Sequence, residues 1–160
     1  MTGHPLPSRK QQRLPDYDYR AEGAYFITIC TKNRHGILSR VSVGTSIARP
    51  PALSLTAVGA VVEKAILGIA AHYPDVFVDH YVIMPNHVHL LIRKTASERP
   101  SLGVIIQQMK GSVTKQLGEQ IWQNKYYDHI IRDEKDYLTR ANYIAENPAR
   151  WVEDEYYLEP

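Results

Sequence analysis

The chain has 160 residues, of which 44% are hydrophobic and 22% charged, and a formal net charge of +2. This length fits one domain with a substantial core. No segment reaches the roughly 18 to 20 apolar residues that a membrane span needs. We also expect no secretory signal. The single cysteine, Cys30, excludes an internal disulfide and fits a reducing cytoplasm.

The charge is unevenly distributed along the chain. Residues 1–132 contain 16 Lys and Arg against nine Asp and Glu, whereas residues 133–160 contain three against eight. A basic body suits a polyanion such as nucleic acid, and an acidic tail over 151–160 could keep it off non-target sites. A solvated surface with uneven charge is an equal alternative.

The predicted elements follow a flexible basic arm, residues 1–20, which contains three prolines, four Lys and Arg and no periodicity. Hydrophobic periodicity and turn signals then predict, in chain order, a strand at Tyr25–Thr31, a short return strand near Ile37–Val41, a helix from Val58 to Ile69, strands at Val76–Met84 and His87–Arg93, a helix from Leu102 to Val113, a strand at Tyr127–Arg132 and a last helix that ends near Asn147.

Capping signals agree with these helices. The expected N-caps are Ser54 or Thr56, Ser101 and Asp133, and the expected stops are Pro74, Gly118 and Pro148. The order β-α-β-β-α-β followed by a helix predicts an α+β, ferredoxin-like fold. It has an antiparallel sheet with helices on one face and a C-terminal helix that carries a tyrosine.

Two histidines lie two residues apart in a segment that otherwise resembles a buried strand. Because strand side chains alternate, His87 and His89 share one face while the apolar residues between and after them point into a core. The preceding Pro85-Asn86 is a tight-turn signal that places the pair at the mouth of a hairpin. Such a pair can hold a divalent ion, although satisfied surface histidines give the same pattern.

The last helix carries a tyrosine that its packing does not require. At about 100° per residue, one face of the helix is an apolar stripe formed by Tyr137, Leu138, Ala141, Ile144 and Ala145. Tyr143 is expected opposite the centre of this stripe, with Asn147 one turn further on the same face. Tyr143 is therefore either an exposed tyrosine or a phenolic nucleophile beside an amide that can offer its oxygen to a metal.

Short motifs are spread along nearly the whole chain: Arg13-Leu14-Pro15, Tyr17-Asp18-Tyr19, Gly23 to Thr31, Met84 to His89, Trp122-Gln123, Tyr126 to Asp133, Tyr143-Ile144 and Asn147-Pro148. In this order and spacing the chain resembles the REP-associated tyrosine transposases, a branch of the single-tyrosine HUH (IS200-like) transposases that act on single-stranded DNA.

The resemblance implies a catalytic domain over residues 21–150 that performs DNA transposition and recombination. His87 and His89 match the metal-binding pair of that family, and Asn147 matches its third ligand for Mg²⁺ or Mn²⁺. Tyr143 matches the nucleophile, which forms a 5′-phosphotyrosine link and later releases it to a second 3′-hydroxyl. Tyr126 and Tyr127 are less favoured rival nucleophiles.

The implied partner is single-stranded DNA with a hairpin. Aromatic platforms in a basic groove commonly hold such strands, and the candidate phosphate contacts are Arg9, Lys10, Arg13, Lys110, Lys115, Lys125 and Arg132. His129 is a candidate for an additional catalytic group. We expect a cytoplasmic, nucleoid-associated bacterial protein that does not bind membranes and is a monomer or a homodimer.

Two other functions fit the same residues. One is a domesticated module that binds hairpin DNA without cutting it. The other is a metal-dependent phosphodiesterase that uses water, for which Tyr143 would be incidental. A covalent protein–DNA adduct distinguishes transesterification from both.

Overall fold

The computed structural model describes residues 16–42, 51–96 and 100–159. In chain order these residues form β1 (Gly23–Cys30), β2 (Ser39–Ser42), β3 (Ala52–Leu55), α1 (Ala57–His72), β4 (Val76–Ile83), β5 (His87–Lys94), α2 (Leu102–Leu117), β6 (Tyr127–Ile130) and α3 (Glu134–Glu146). Short 3₁₀ helices lie at Lys32–Arg34 and Trp151–Glu153.

The main sheet has the strand order β4-β5-β1-β6, and every neighbouring pair in it is antiparallel. β1 and β5, the most continuously buried strands, pair along their full length at its centre. With α1 and α2 as the two crossovers, this is the split βαββαβ arrangement. The predicted ferredoxin-like fold class is therefore confirmed.

A two-stranded hairpin, β2–β3, lies outside this sheet. The return strand near residue 40 was expected, but β3 was not. Its four residues alternate between exposed and half-buried and follow two prolines, so they carry little strand signal. The hairpin leads directly into α1, whose N-cap is Thr56 rather than Ser54, since Ser54 lies within β3.

The two faces of the main sheet bury different clusters. α1 and α2 cover one face, where Val88, Leu90 and Ile92 of β5 join the larger core. The opposite face is smaller and is covered by α3, whose Ala141 and Ile144 pack with side chains that include Phe26, Val82, Met84 and Leu91. Strand alternation therefore directs His87 and His89 toward α3.

The expected caps are formed at all three helices. The side chains of Thr56, Ser101 and Asp133 accept hydrogen bonds from Gly59, Val104 and Asp136 N–H, and Gly118 ends α2 with a φ of 75°. Among the residues that the structure describes, no helix is long and apolar enough to cross a membrane.

Part of the expected N-terminal arm lies against the domain. Tyr17 and Tyr19 pack edge-on and tilted against Tyr25 of β1, and Tyr17 Oη lies 3.2 Å from Tyr25 Oη. Residues 1–15 of the arm lie outside the described residues.

Candidate active site

The histidine pair lies at the start of β5, on the α3 face of the sheet. His87 and His89 are 0% and 1% exposed. Their rings meet edge to face, and the two Nε2 atoms are 3.1 Å apart. The pair therefore directs two ring nitrogens at one point, as two ligands of a single ion would.

Asn86 fixes the orientation and tautomer of His87. Its Nδ2 donates to two carbonyl oxygens, those of Arg34 at 3.3 Å and Tyr156 at 2.7 Å. Its Oδ1 must therefore be the atom that lies 2.8 Å from His87 Nδ1, and an amide oxygen can only accept. The proton of neutral His87 is consequently on Nδ1, which leaves the Nε2 lone pair free to coordinate.

Thr28 holds the second imidazole from behind. Its Oγ1 lies 2.9 Å from His89 Nδ1, and both groups are buried. A hydroxyl can donate or accept, so His89 can present either an N–H or a lone pair at Nε2. An N–H at this position can donate to the His87 Nε2 lone pair 3.1 Å away. The lone pair at His89 Nε2 is needed when both nitrogens coordinate a cation, because a protonated ring nitrogen cannot bind one.

Two oxygen donors complete the cluster. Asp154 Oδ2 lies 3.8 Å from His87 Nε2, and ligand atoms of His87, His89 and Asp154 all lie within 4.8 Å of one another. Asn147, the C-cap of α3, donates from Nδ2 to Asp154 Oδ2 at 2.5 Å. Asn147 Oδ1 is buried and makes no hydrogen bond to any residue that the structure describes.

Imidazole nitrogens with carboxylate or amide oxygens are a donor set that suits divalent ions. The unpartnered oxygen of Asn147 and the facing Nε2 atoms are what such an ion would satisfy, so the residues present fit a metal. Asp154 was missed by sequence reasoning. Its only signal was an acidic run, Glu153-Asp154-Glu155, which predicts a solvated tail equally well.

Both imidazoles are neutral at physiological pH. Burial lowers the pKa of His87 to about 4, although the Asp154 carboxylate acts in the opposite direction. Burial, aided by the neighbouring His87, holds the pKa of His89 well below its usual range. Neutral imidazole is the form that binds metals.

Tyr143 lies beside this pair. Its ring centroid is 5.2 Å from that of His89 and 6.0 Å from that of Phe26, and the side chain is 39% exposed. Burial, followed by the charges of Asp154 and Glu155, raises the pKa of its phenol to about 12. The hydroxyl is therefore protonated at neutral pH.

The expected packing stripe of α3 is corrected by the structure. Ala141 and Ile144 are buried as predicted, but Leu138 is 52% exposed and Ala145 is also exposed. The helix lies on the sheet over a narrower stripe, so Tyr143 flanks the buried face instead of lying opposite it. Tyr137 anchors the helix to β4 by donating its hydroxyl hydrogen to Asp79 at 2.7 Å.

The segment after α3 covers the histidines. The Tyr156 ring centroid lies 4.5 Å from that of His87, and the Trp151 ring lies 5.9 Å away on a second tilted contact. The residues expected to form an acidic tail thus contribute Asp154 and close the pair from solvent. Both imidazoles are buried beneath it.

The other predicted residues lie on or next to β6. His129 Nε2 lies 2.8 Å from Asp136 Oδ2 in the first turn of α3, so it ties β6 to that helix. Tyr127 lies on β6 opposite Thr28 of β1, and Tyr126 packs against the larger core.

The predicted phosphate contacts divide into two groups. Lys110 and Lys115 lie together on α2, whereas Lys125 and Arg132 are exposed at either end of β6. Arg9, Lys10 and Arg13 lie outside the described residues.

Several known proteins are similar to this chain. No protein-family model matches the chain. An uncharacterized Haemophilus influenzae protein is 33% identical, and the alignment covers 94% of each chain. A candidate REP-associated tyrosine transposase of the same organism is 30% identical over 49% of this chain and 52% of its own length. The REP-associated tyrosine transposase of Escherichia coli is 25% identical over 84% of this chain and 72% of its own length.

Two solved structures share the fold. A REP-associated tyrosine transposase bound to a REP hairpin superposes with a TM-score of 0.60 at 21% identity, covering 92% of this chain and 76% of that one. A candidate transposase from Deinococcus radiodurans superposes with a TM-score of 0.51 at 17% identity, covering 85% of this chain and 97% of that one. The chain therefore shares its fold with these two structures and is similar in sequence to REP-associated tyrosine transposases.

Proposed function

We propose that the protein cleaves and rejoins single-stranded DNA beside hairpin elements, with Tyr143 as the nucleophile and a divalent ion held by His87 and His89. The observation that carries the proposal is the contact of the Tyr143 ring with His89, whose Nε2 meets that of His87. The solved relative bound to a REP hairpin supports hairpin DNA as the substrate.

The ion would be Mg²⁺ or Mn²⁺, held by the two Nε2 atoms with oxygen from Asp154 or Asn147. When bound, it supplies positive charge that withdraws electron density from the scissile phosphate. Asn86 and Thr28 keep both ring nitrogens aimed at that position. Tyr156 covers the pair with its ring, and its backbone N–H donates to Asp154 Oδ1.

Tyr143 performs the covalent step. Its Oη forms a bond to phosphorus while the bond from phosphorus to the 3′-oxygen breaks, and the released 3′-hydroxyl takes up a proton. The phenol must lose its own proton as the new bond forms, because its pKa of about 12 keeps it neutral beforehand. The resulting 5′-phosphotyrosine retains the energy of the phosphodiester, so a second 3′-hydroxyl can reseal the strand without ATP.

A gel assay with end-labelled single-stranded hairpin oligonucleotides from the DNA flanking the gene tests the proposal. With Mn²⁺ we expect a slow-migrating covalent adduct on a denaturing gel, and EDTA should abolish it. Tyr143→Phe should lose the adduct yet keep its affinity for the hairpin. Tyr127→Phe is the matched control and should keep both.

Two outcomes favour the other functions. Binding with no adduct in the wild-type protein would point to a binding module, and cleavage that survives Tyr143→Phe would point to hydrolysis by water.

His87→Ala and His89→Ala should weaken Mn²⁺ binding and adduct formation together. Full activity of either variant in the same buffer would remove the metal-site assignment.

A further inference from the structure

Arg140 lies one turn before Tyr143 on α3. Residues three apart on a helix are surface neighbours, with about 5 to 6 Å between their Cβ atoms. The guanidinium carbon of Arg140 lies 5.0 Å from the centroid of the Phe26 ring. That ring also stacks on His89 at 5.1 Å and lies 6.0 Å from the Tyr143 ring in an edge-on contact. Arg140, Tyr143 and His89 thus share one aromatic neighbour.

The guanidinium of Arg140 is held in place but has a donor left over. Its Nε lies 3.7 Å from Asp136 Oδ1, which is too far for a hydrogen bond. Asp136 Oδ2 lies 2.8 Å from His129 Nε2 and accepts from the Arg132 backbone N–H at 3.0 Å. Arg140 Nε is buried and makes no hydrogen bond to any residue that the structure describes. A buried donor without an acceptor is costly, and an anionic oxygen beside this side chain would satisfy it.

The charge of Arg140 acts on two groups of the candidate active site. Burial is the main cause that raises the pKa of the Tyr143 phenol to about 12, and the positive charge of Arg140 opposes it. Burial also lowers the pKa of His89, and the charge of Arg140 acts there in the same direction. The guanidinium therefore lies close enough to influence both the phenol and the imidazole.

Attack on a phosphodiester creates a need for a second cationic partner. The scissile phosphate has two non-bridging oxygens, and negative charge grows on both as Tyr143 Oη bonds to phosphorus. When one of these oxygens faces the histidine pair, the other needs donors of its own. A guanidinium keeps its charge at all working pH values and offers parallel N–H groups that match the geometry of phosphate. Donors that are positioned in advance lower the barrier, because nothing has to reorganise during the reaction.

We propose that Arg140 is a further catalytic residue, which donates hydrogen bonds from its guanidinium to the scissile phosphate while Tyr143 attacks. The assignment rests on the proposed function and adds one residue to its site. No proton leaves the guanidinium. The bonds that form and break remain those from phosphorus to Tyr143 Oη and to the 3′-oxygen. Phe26 and Asp136 orient the side chain for this contact.

Arg93 provides a matched control. Its guanidinium carbon lies 4.7 Å from the centroid of the Phe77 ring, and its Nε donates to Asp79 Oδ2 at 3.0 Å. It therefore has the same kinds of neighbour as Arg140, an aromatic ring and an aspartate. It lies four residues beyond His89 on β5, or about 13 Å along the strand. Loss of charge or of packing on a ring should affect both alanine variants, whereas loss of a contact with phosphate should affect only Arg140→Ala.

Single-turnover rates of adduct formation with Mn²⁺ separate catalysis from binding. We expect Arg140→Ala to form the adduct about 100- to 1,000-fold more slowly than the wild-type protein, with nearly unchanged affinity for the hairpin. Arg93→Ala should match the wild-type protein in both. Arg140→Gln, which also lacks the charge, replaces Arg140→Ala if that variant melts below the assay temperature. A wild-type rate in Arg140→Ala would overturn the assignment and leave the proposed function standing, whereas a wild-type protein that forms no adduct would overturn both.

A methylphosphonate at the scissile position distinguishes a contact with phosphate from a structural role. This group replaces one non-bridging oxygen by methyl and removes its charge, so the residue that neutralises that oxygen is no longer needed. The position is first mapped from the wild-type reaction on ordinary DNA, and the two diastereomers are then assayed separately. We expect Arg140→Ala to react as fast as the wild-type protein on the diastereomer whose methyl group faces position 140. A rate difference that persists on both diastereomers, or no adduct from either, would overturn the assignment.

Discussion

Thr28→Val removes one hydroxyl at the base of the site and keeps the shape of the side chain. Thr28 is 3% exposed, and its Oγ1 is the partner of His89 Nδ1 at 2.9 Å. Leaving that nitrogen buried and unpaired costs about 1 to 3 kcal/mol of the free energy of unfolding. For a domain of this size the loss corresponds to roughly 2 to 12 °C in Tm.

The same substitution should weaken the metal site more than the fold. Removing the group behind a ligating imidazole typically costs about 10- to 100-fold in metal affinity. Calorimetric titration with Mn²⁺ measures the affinity, and thermal unfolding in EDTA measures the stability of the metal-free protein. Thr28→Ser retains the hydroxyl and is the matched control. A Thr28→Val protein that binds Mn²⁺ as tightly as Thr28→Ser would refute the role of this hydroxyl in orienting His89.

The remaining predictions concern packing, pH and His129. A Cβ on Gly59 would lie 1.9 Å from the Leu38 carbonyl oxygen, so Gly59→Ala should destabilise the protein by about 1 to 3 kcal/mol in thermal melts; a neutral effect would contradict the close approach. In EDTA, His87 alone should lower the unfolding free energy by up to about 3 kcal/mol as the pH drops from about 6.5 towards 4, because the unfolded chain binds a proton there that burial keeps from His87. The buried His89 acts in the same direction. Urea unfolding across this range checks the slope, which His87→Gln should reduce but not abolish. His129→Gln should lower the free energy of unfolding by about 1 to 2 kcal/mol and still form the adduct at a near-normal rate in the gel assay. The reason is that Asp136, the partner of His129, lies seven residues, or about 10 Å along the helix, from Tyr143. Loss of the adduct in a folded variant would make His129 catalytic.

Local patterns predicted the sheet because its strands have a strict period. The alternation in β5 placed the histidines opposite the apolar residues, and the structure has them on opposite faces. The caps were equally local, since a Thr, Ser or Asp side chain bonds a backbone N–H within its own first turn.

Features that depend on tertiary contacts were missed. The rotation of α3 follows from how it rests on Phe26 and Leu91, which helical spacing cannot show, so Leu138 was assigned to the core and is exposed. Asp154 reaches the histidines only because the chain turns back after α3 and lays Tyr156 over His87. No periodic sequence pattern marks a chain that turns back over a helix in this way. The acidic run by itself predicts that these residues are exposed to solvent.

The central claim is that Tyr143 forms the covalent bond to DNA, and peptide mapping of the adduct tests it most directly. Cleavage after Lys and Arg places Tyr143 alone in the peptide 141–150, whereas Tyr126 and Tyr127 fall in 126–132 and Tyr156 falls in 151–160. After Mn²⁺-dependent reaction with a hairpin oligonucleotide and nuclease trimming, mass spectrometry should find the nucleotide mass on the peptide 141–150. The same mass on the peptide 151–160 would assign the nucleophile to the segment that covers His87. The same mass on the peptide 126–132 would assign it to the edge of the sheet. Either result would contradict the assignment of Tyr143 as the nucleophile.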